Sequence, residues 1–193
     1  SPPDLHLEDG DLGDPAALKA RGLAAEDAAR AVPGVTNSEG GGASASRSIW
    51  ALATSHGFAG AYAVTSHSLS ASVLAGEAGA MERDYAYHSA RHARHVESPE
   101  AIGRPVGVRT VARVGPGRVK SGTMPVVLDP RVGSSLLGHL SGAISGSAIT
   151  RKTSFLLDAM GTRIFAPGIR ICDDPHRPHG LRSRPLVGEG LAL

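Results

Sequence analysis

Residues 58–76 read FAGAYAVTSHSLSASVLAG, and small or hydroxyl-bearing side chains alternate here with apolar ones at every second position. The same period of two runs through ASASRSIWALAT at 43–54 and AMERDYAYHSARH at 80–92. Alternation with this period is typical of strands that bury one face. The separators at 55–57 and 77–79 each contain glycine and suit tight turns. The sequence therefore predicts a three-stranded antiparallel meander.

Helical signals precede the predicted sheet. Asp14 followed by Pro15 is typical of an N-cap and a first helical position, and apolar residues recur at helical spacing as far as Val32. We expect Gly22 to divide this segment into two helices. The sequence VTNSEGGG at 35–42 predicts a turn, because asparagine and consecutive glycines tolerate backbone conformations that other residues avoid.

A smaller α/β unit is predicted after the sheet. Ser98 and Pro99 suit the start of a helix, and MPVVL is a short apolar run typical of a buried strand. The expected elements are a helix from Ser98 towards Val114, a strand at 124–128, a helix over 130–146 after Asp129, a strand at 164–171 and a Pro/Gly-rich tail over 173–193.

These elements predict an α+β protein in which an antiparallel meander is preceded by helices and followed by the smaller α/β unit. We divide the chain into a helical lead at 1–34, a sheet region at 35–96 and the α/β unit at 97–193. A sheet with so much alanine, serine and glycine has thin side chains, so we expect a closely packed layer or a partner to cover at least one face.

Composition and charge reduce the number of function classes that fit the chain. The chain has 193 residues, 41% of them hydrophobic, and 20 basic against 18 acidic side chains leave a formal charge of +2, so nothing points to nucleic-acid binding. The single cysteine, Cys172, cannot form an internal disulfide, and the sequence contains no apolar membrane span or signal peptide. We therefore expect a cytoplasmic protein without membrane contact. Because the sequence begins at Ser1 without an initiator methionine, we also expect a fragment or a processed chain.

Two long segments carry a family resemblance. PVVLDPRVGSSLLGHLSGAISGSAITRKTSFLLD at 125–158 and DDPHRPHGLRSRPLVGEG at 173–190 resemble the central region of TldD/PmbA-family proteins, specifically of the TldE/PmbA branch. VTNSEGGGASASRSIWALATSHGFAG at 35–60 and RDYAYHSARH at 83–92 resemble the same family. Members of this family are more than twice as long as the chain. The resemblance therefore implies an N-terminal α/β part and a C-terminal β-rich part that are missing here.

The resemblance implies a heterodimeric zinc peptidase that acts in the cytoplasm on unfolded peptides. Its older name is modulator of DNA gyrase, and a gyrase link enters by that name alone. In the catalytic branch, TldD, a helix carries His-Glu-x-x-x-His, where two imidazoles ligate zinc and the glutamate activates water. When this motif is aligned without gaps, Gly138 and Ala143 take the places of the histidines and His139 that of the glutamate.

Neither Gly138 nor Ala143 can bind a metal. We therefore expect no cofactor and no catalytic residue in this chain, with zinc supplied by a TldD-type partner subunit. Gly142 and Gly146 give the helix a small face that suits either close packing against the sheet or a groove for a peptide. We expect Arg151 and Lys152 to face solvent or to pair with acids such as Asp158, or else to hold a substrate carboxylate or carbonyl.

Histidines offer an alternative metal site. His88, His92 and His95 have spacings of four and three, which would gather three imidazoles on a helix. Strand-like alternation in this region would instead separate them, so we favour solvated surface. His176 and His179 lie in a loop rich in aspartate and proline, which we interpret as a rigid turn. Two alternatives stay open, namely an autonomous metal hydrolase that uses these histidines and a peptide-binding homodimer.

Overall fold

An antiparallel sheet with two helices on one face forms the part of the chain that has a buried core. The computed structural model describes residues 3–186. The strands are β1 (Val35–Ala53), β2 (Ala59–Ala75) and β3 (Glu82–Ala90), which pair antiparallel in the order β1-β2-β3. The helices are α1 (Pro15–Arg30), α2 (Pro99–Ala112), α3 (Pro130–Ala143) and α4 (Gly146–Thr150). The predicted α+β class, its meander and the helix starts are confirmed.

The first helix, α1, begins as predicted, because the Asp14 carboxylate accepts a hydrogen bond from the Ala16 amide at 3.3 Å. The prediction that Gly22 divides it is wrong, since α1 is continuous. A Cβ atom at Gly22 would lie 3.2 Å from the carbonyl oxygen of Gly41, and a Cβ at Gly41 would collide with the carbonyl of Gly22. These glycines therefore let the backbones of α1 and β1 touch.

The predicted turn at 35–42 is also wrong, because these residues form the first part of β1. Their pairing with β2 is irregular between Val35 and Asn37 and again between Ser38 and Gly40. Such bulges accommodate extra residues while the ladder continues. The asparagine and glycines in this segment therefore allow the two bulges and the close contact with α1, and they do not form a turn.

The core lies between β2 and the two helices α1 and α2. Its buried members are Leu69, Ala71 and Val73 on β2, Ala25 and Ala29 on α1, and Ile102 and Val106 on α2. Alternate residues of a strand point to opposite faces. The other face of β2 carries half-buried serines, namely Ser66, Ser68, Ser70 and Ser72. The predicted closely packed layer is thus α1 and α2, which cover one face of the sheet.

Residues 3–14, which precede α1 and which we call the lead, add a smaller hydrophobic cluster at the end of β2. Leu5 and Leu7 are buried against Val64, and the Thr65 amide donates to the carbonyl of Leu7 at 3.0 Å. The β3 ladder ends where Ala90 pairs with His67 of β2. The lead therefore contacts β2 just beyond the last residue that β3 covers.

The described chain forms two compact units, the first up to Gly117 together with residues from Asp173 onwards, and the second over Arg118–Cys172. In the second unit the Asp129 carboxylate accepts from the Arg131 amide at 2.9 Å and caps α3 as predicted. The helix predicted over 130–146 ends earlier, at Ala143, and α4 follows it.

The strands predicted at 124–128 and 164–171 are wrong, since residues 118–172 contain no strand. Val127 is 97% exposed and Val126 is 72% exposed, so this apolar run is not buried. An apolar run forms a strand only when a neighbour satisfies its backbone groups, and the described chain offers none here. The predicted tail runs through turns as far as residue 186, and 187–193 lie outside the described residues. No helix within residues 3–186 has the length and apolar character needed to cross a bilayer.

Candidate functional site

The helix α3 carries the three positions that the family motif singles out. Gly138, His139 and Ala143 all lie on it, within the second compact unit. His139 is exposed, Ala143 is buried, and a Cβ atom at Gly138 would meet nothing within 4 Å. The helix itself therefore forms, but only one of the three positions has a side chain that can coordinate a metal.

The donor set of α3 does not fit the zinc that the family implies. Zinc in proteins needs three or four nitrogen, sulfur or oxygen donors at short range. Gly138 has no side chain, Ala143 has a methyl group, and the imidazole of His139 stands alone. Within residues 3–186, no three or more His, Cys, Asp or Glu side chains are grouped so that they could hold a metal ion.

The candidate glycines of the substrate groove do not share one helix. Gly142 lies near the end of α3, whereas Gly146 is the first residue of α4. Ile144 and Ser145 separate the two helices, and Ser145 caps α4, its hydroxyl accepting from the Ala148 amide at 3.3 Å. Within the second unit, a Cβ atom at Gly142 or Gly146 would meet nothing within 4 Å, so neither glycine serves a close backbone contact there.

Arg151 and Lys152 follow α4 and are both exposed. The Arg151 side chain turns back onto its own helix, since its Nε donates to the carbonyl of Ser147 at 3.2 Å. Lys152 has a φ of 55°, in the left-handed region, and its amide donates to the carbonyl of Ile149 at 3.0 Å. Neither side chain pairs with Asp158 in the described chain, and both are exposed, as the first alternative predicts. Contact with a substrate stays a prediction.

Three of the candidate histidines meet in the first compact unit. The ring centroids of His92 and His179 lie 4.8 Å apart, those of His95 and His179 5.0 Å, and those of His92 and His95 5.7 Å. His6 joins them, with its ring 5.5 Å from that of His179. The expected separation of His92 from His95 is wrong, because β3 ends at Ala90 and a short 3₁₀ helix at Ala93–His95 folds the chain back.

The rings of the other two candidates, His88 and His176, make no described contact with these histidine rings. His88 lies on β3, where its Nδ1 accepts from the Glu97 amide at 3.3 Å. The Nε2 atom of His176 is buried without a hydrogen-bond partner. Its own amide donates to the Asp174 carboxylate at 3.1 Å, which agrees with the predicted rigid turn.

We define the histidine cluster as His6, His92, His95 and His179. The backbone carbonyl of His6 is hydrogen-bonded to two of its rings. The carbonyl oxygen of His6 lies 2.8 Å from Nε2 of His92 and 3.1 Å from Nδ1 of His179. A carbonyl can only accept, so both nitrogens carry protons in this arrangement. A protonated nitrogen has no lone pair for a metal. The cluster thus fastens the lead and the His179 turn to the end of β3.

A carboxylate lies beside the cluster. Asp9 accepts from the Ala93 amide at 2.8 Å, and this hydrogen bond is the main reason why the pKa of Asp9 is lowered. Its carboxylate oxygens also lie 3.6 Å from Nε2 of His67 and 3.9 Å from Nδ1 of His92. The pKa of His95 is lowered too, first by loss of hydration and then by the positive charge of Arg94.

The sequence did not identify His6, Asp9 or His67 as members of this assembly. His6 lies 86 residues from His92 and 173 from His179 along the chain, so no local spacing links them. Their meeting depends on the lead running beside the end of β2. Sequence patterns of short range carry no signal for such a contact.

Two family models match the chain. The PmbA/TldA metallopeptidase central domain matches residues 11–114, and the PmbA/TldA metallopeptidase C-terminal domain matches residues 121–193. The chain is 36% identical over 190 residues to the metalloprotease PmbA of Escherichia coli O157:H7, which covers 98% of the chain and 42% of that relative. It is 32% identical over 170 residues to the Haemophilus influenzae homolog of PmbA, covering 88% of the chain and 38% of the relative.

Solved structures share the fold. A proposed modulator of DNA gyrase from Bacteroides thetaiotaomicron has a TM-score of 0.91 and 28% identity, and the match covers all of this chain and 44% of that one. A second such protein, from Thermotoga maritima, has a TM-score of 0.88 at 20% identity over 45% of its own length. The chain thus spans about two fifths of the length of its relatives. Because the central-domain model alone matches more than half of the sequence, the chain belongs to the PmbA/TldD metallopeptidase family.

Proposed function

We propose that this chain is part of a non-catalytic TldE/PmbA-type subunit of a two-subunit metallopeptidase. In this proposal a TldD-type subunit supplies the zinc, its ligands and the general base. The observation that carries the proposal is the donor set of α3, where Gly138 and Ala143 stand at the ligand positions of the family motif. A helix that lacks both imidazoles cannot position a zinc-bound water.

The role that we assign to the chain is to shape the site and hold the substrate, an unfolded peptide. The open surroundings of Gly138 and Gly142 support this role, because a backbone can approach a helix closely where side chains are missing. Gly146, Arg151 and Lys152 remain candidates for contact with substrate. We place the assembly in the cytoplasm.

Two other functions are weaker proposals. An autonomous hydrolase would need the histidine cluster to bind a metal, whereas two of its nitrogens already donate to the carbonyl of His6. A peptide-binding homodimer would need no metal at all. Measuring the mass of the complex in solution, with and without a TldD-type subunit, separates the homodimer from the heterodimer.

Hydrolysis of an unfolded peptide by the full-length protein, by a TldD-type subunit and by their mixture tests the proposal. We expect hydrolysis by the mixture only, and we expect the variant His139→Ala of this chain to keep the activity of the mixture. Hydrolysis by this protein alone, lost in the double variant His92→Ala/His179→Ala, would contradict the proposal and favour the autonomous hydrolase.

A further inference from the structure

Two strands of the sheet extend beyond the third. The β3 ladder stops at the pair of His67 with Ala90, whereas β1 and β2 stay paired as far as Ala53 with Ala59. Residues 47–53 and 59–65 therefore form a two-stranded arm. Along this arm, β2 has no β3 residue paired with its other edge.

One face of this arm is apolar. Trp50 pairs directly with Tyr62, and Leu52 pairs with Gly60. The side chains of Trp50, Leu52 and Tyr62 therefore project from the same face. Val64 lies two residues after Tyr62 and shares that face. Trp50 is 60% exposed, which is unusual for the largest apolar side chain of a protein.

A groove of about 400 Å³ lies between this face and residues 181–186. We call it the arm groove. Trp50, Leu52, Tyr62 and Val64 form its apolar side. Its volume falls within the range of pockets that take a small ligand or a few side chains.

Arg91 holds the opposite wall of the arm groove in place. Its guanidinium donates to the carbonyl of Thr65 at 3.0 Å, to that of Leu181 at 2.6 Å and to that of Gly180 at 3.3 Å. Burial lowers the pKa of Arg91 below its usual value. Arg91 is thus a positioning residue, which ties the 180–181 turn to the end of the arm.

The charges that line the arm groove are all positive. Arg91, Arg182 and Arg184 line it, and no aspartate or glutamate does. In the part of the chain that is described, none of these arginines has a carboxylate within ion-pair distance. Arg182 and Arg184 are exposed, so their guanidinium groups are free to meet an anion from outside. Arginine is the residue best suited to bind a carboxylate through two parallel hydrogen bonds.

We propose that the arm groove binds a peptide segment in which apolar and acidic side chains alternate. The apolar side chains contact Trp50 and Tyr62, and the carboxylates pair with Arg182 and Arg184. The proposal rests on the proposed function in taking a peptide as the ligand, and it adds the class of peptide. A groove of this volume suits side chains of an extended segment better than a membrane surface, which would need a wide and open apolar face.

Intrinsic fluorescence tests the proposal directly, because Trp50 is the sole tryptophan of the chain. The probe is a tryptophan-free peptide of alternating Leu and Glu, and the matched control peptide has Lys in place of Glu. We expect a saturable blue shift with the Leu/Glu peptide, which weakens as salt is added, and none with the Leu/Lys peptide. The double variant R182A/R184A should bind the Leu/Glu peptide about tenfold more weakly, since two exposed ion pairs are lost.

Variants elsewhere on the surface control this experiment. The double variant R163A/R170A removes two exposed arginines of the other compact unit and should bind as the native chain does. The charge-reversed variant R182E/R184E should bind the Leu/Lys peptide instead. Because an unfolded variant would bind neither peptide, this result distinguishes the loss of the ion pairs from unfolding of the chain.

Three outcomes would overturn the proposal. They are equal binding of both peptides, no shift with either, and a shift with phosphatidylglycerol vesicles but with no peptide, which would assign the groove to an anionic lipid. The experiment uses this chain alone and measures no hydrolysis. Its failure is therefore distinct from a failure of the two-subunit proposal, which is judged by the activity of the mixture.

Discussion

Gly103 lies where α2 crosses α1, and the lack of a side chain there allows the two backbones to meet. A Cβ atom at this position would collide with the carbonyl oxygen of Ala25 and lie 2.9 Å from both the Cβ of Ala28 and the amide nitrogen of Ala29. Sequence alone predicts only that a glycine within a helix weakens it. In the folded chain it is a contact residue of the main core.

Replacing Gly103 with alanine is expected to destabilise the chain. The methyl group has backbone atoms of α1 as neighbours, which cannot move aside as a flexible side chain can. We expect the free energy of unfolding to fall by about 1–3 kcal/mol, as measured by urea denaturation. The matched control is Gly142→Ala on α3, where the added methyl group meets nothing within 4 Å. An equal loss in both variants would contradict the packing account.

The stability of the chain should depend on pH through His95. The folded pKa of His95 lies below its ordinary value near 6.5, mainly through loss of hydration and then through Arg94. The unfolded chain therefore binds a proton that the folded chain does not, so stability is complete above the ordinary pKa and falls as the pH drops below it. Asp9 continues this trend in more acidic solution, because its folded pKa is lowered as well.

Urea denaturation at about pH 7.5 and about pH 5.5 measures the effect of His95. We expect a lower free energy of unfolding at the acidic pH, and a smaller difference in His95→Gln. His56→Gln is the control, since His56 lies in the turn between β1 and β2 and should keep the native difference. A difference that is unchanged in His95→Gln would refute this assignment.

The structural roles of single residues differ in how well the sequence predicts them. The caps at Asp14 and Ser98 were predictable, because each acts on amides two or three residues away. The cluster of His92 and His179 was not, because the fold alone brings it together. The prediction that Gly138 and Ala143 stand at metal-ligand positions comes only from comparison with a family motif, and it stays a prediction.

At the scale of elements, an ion pair joins β3 to α2. Asp84 is 3% exposed, and its carboxylate lies 3.2 Å from Nε of Arg109 and 3.6 Å from a terminal nitrogen of Arg113. Arg109 also donates to the carbonyl of Tyr85 at 3.2 Å. The pair therefore fixes where α2 lies along the strand.

Removing the buried carboxylate of Asp84 is expected to cost far more free energy of unfolding than removing that of Glu82, which is only half-buried. We expect Asp84→Ala to lower the free energy of unfolding by about 3 kcal/mol, because Arg109 loses its acidic partner in a partly buried place. Glu82→Ala is the matched control, since Glu82 is more exposed and only reaches Arg113 at 4.0 Å. We expect that control to cost less than about 1 kcal/mol. Equal costs by urea denaturation would show that the pair does not fix α2.

Helices and strands were predictable where a repeating sequence pattern had a neighbouring element of the same unit to pair or pack with. The meander was of this kind, because three alternating stretches follow one another with tight turns between them. The strand at 35–42 was hidden by glycines that its contact with α1 requires. The runs at 124–128 and 164–171 failed for the opposite reason, since apolar character without a paired neighbour does not make a strand.

At the scale of the whole molecule, the two compact units differ in how much they bury. The first has a core of strands and helices, whereas Ala143 is the one buried apolar side chain described within residues 118–172. Leu136 and Leu137 of α3 are 55% and 50% exposed. The helix α3 thus presents apolar side chains on the surface of its own unit.

Zinc content is the measurement that tests the central claim, that α3 does not hold a catalytic metal. The full-length protein is purified alone, saturated with zinc, freed of excess metal by gel filtration and analysed by mass spectrometry of the metal. We predict less than about 0.1 zinc per chain, unchanged in His139→Ala, because one imidazole does not retain the ion. About one zinc per chain, lost in His139→Ala or in His92→Ala/His179→Ala, would contradict the account and show which of the two places binds the metal.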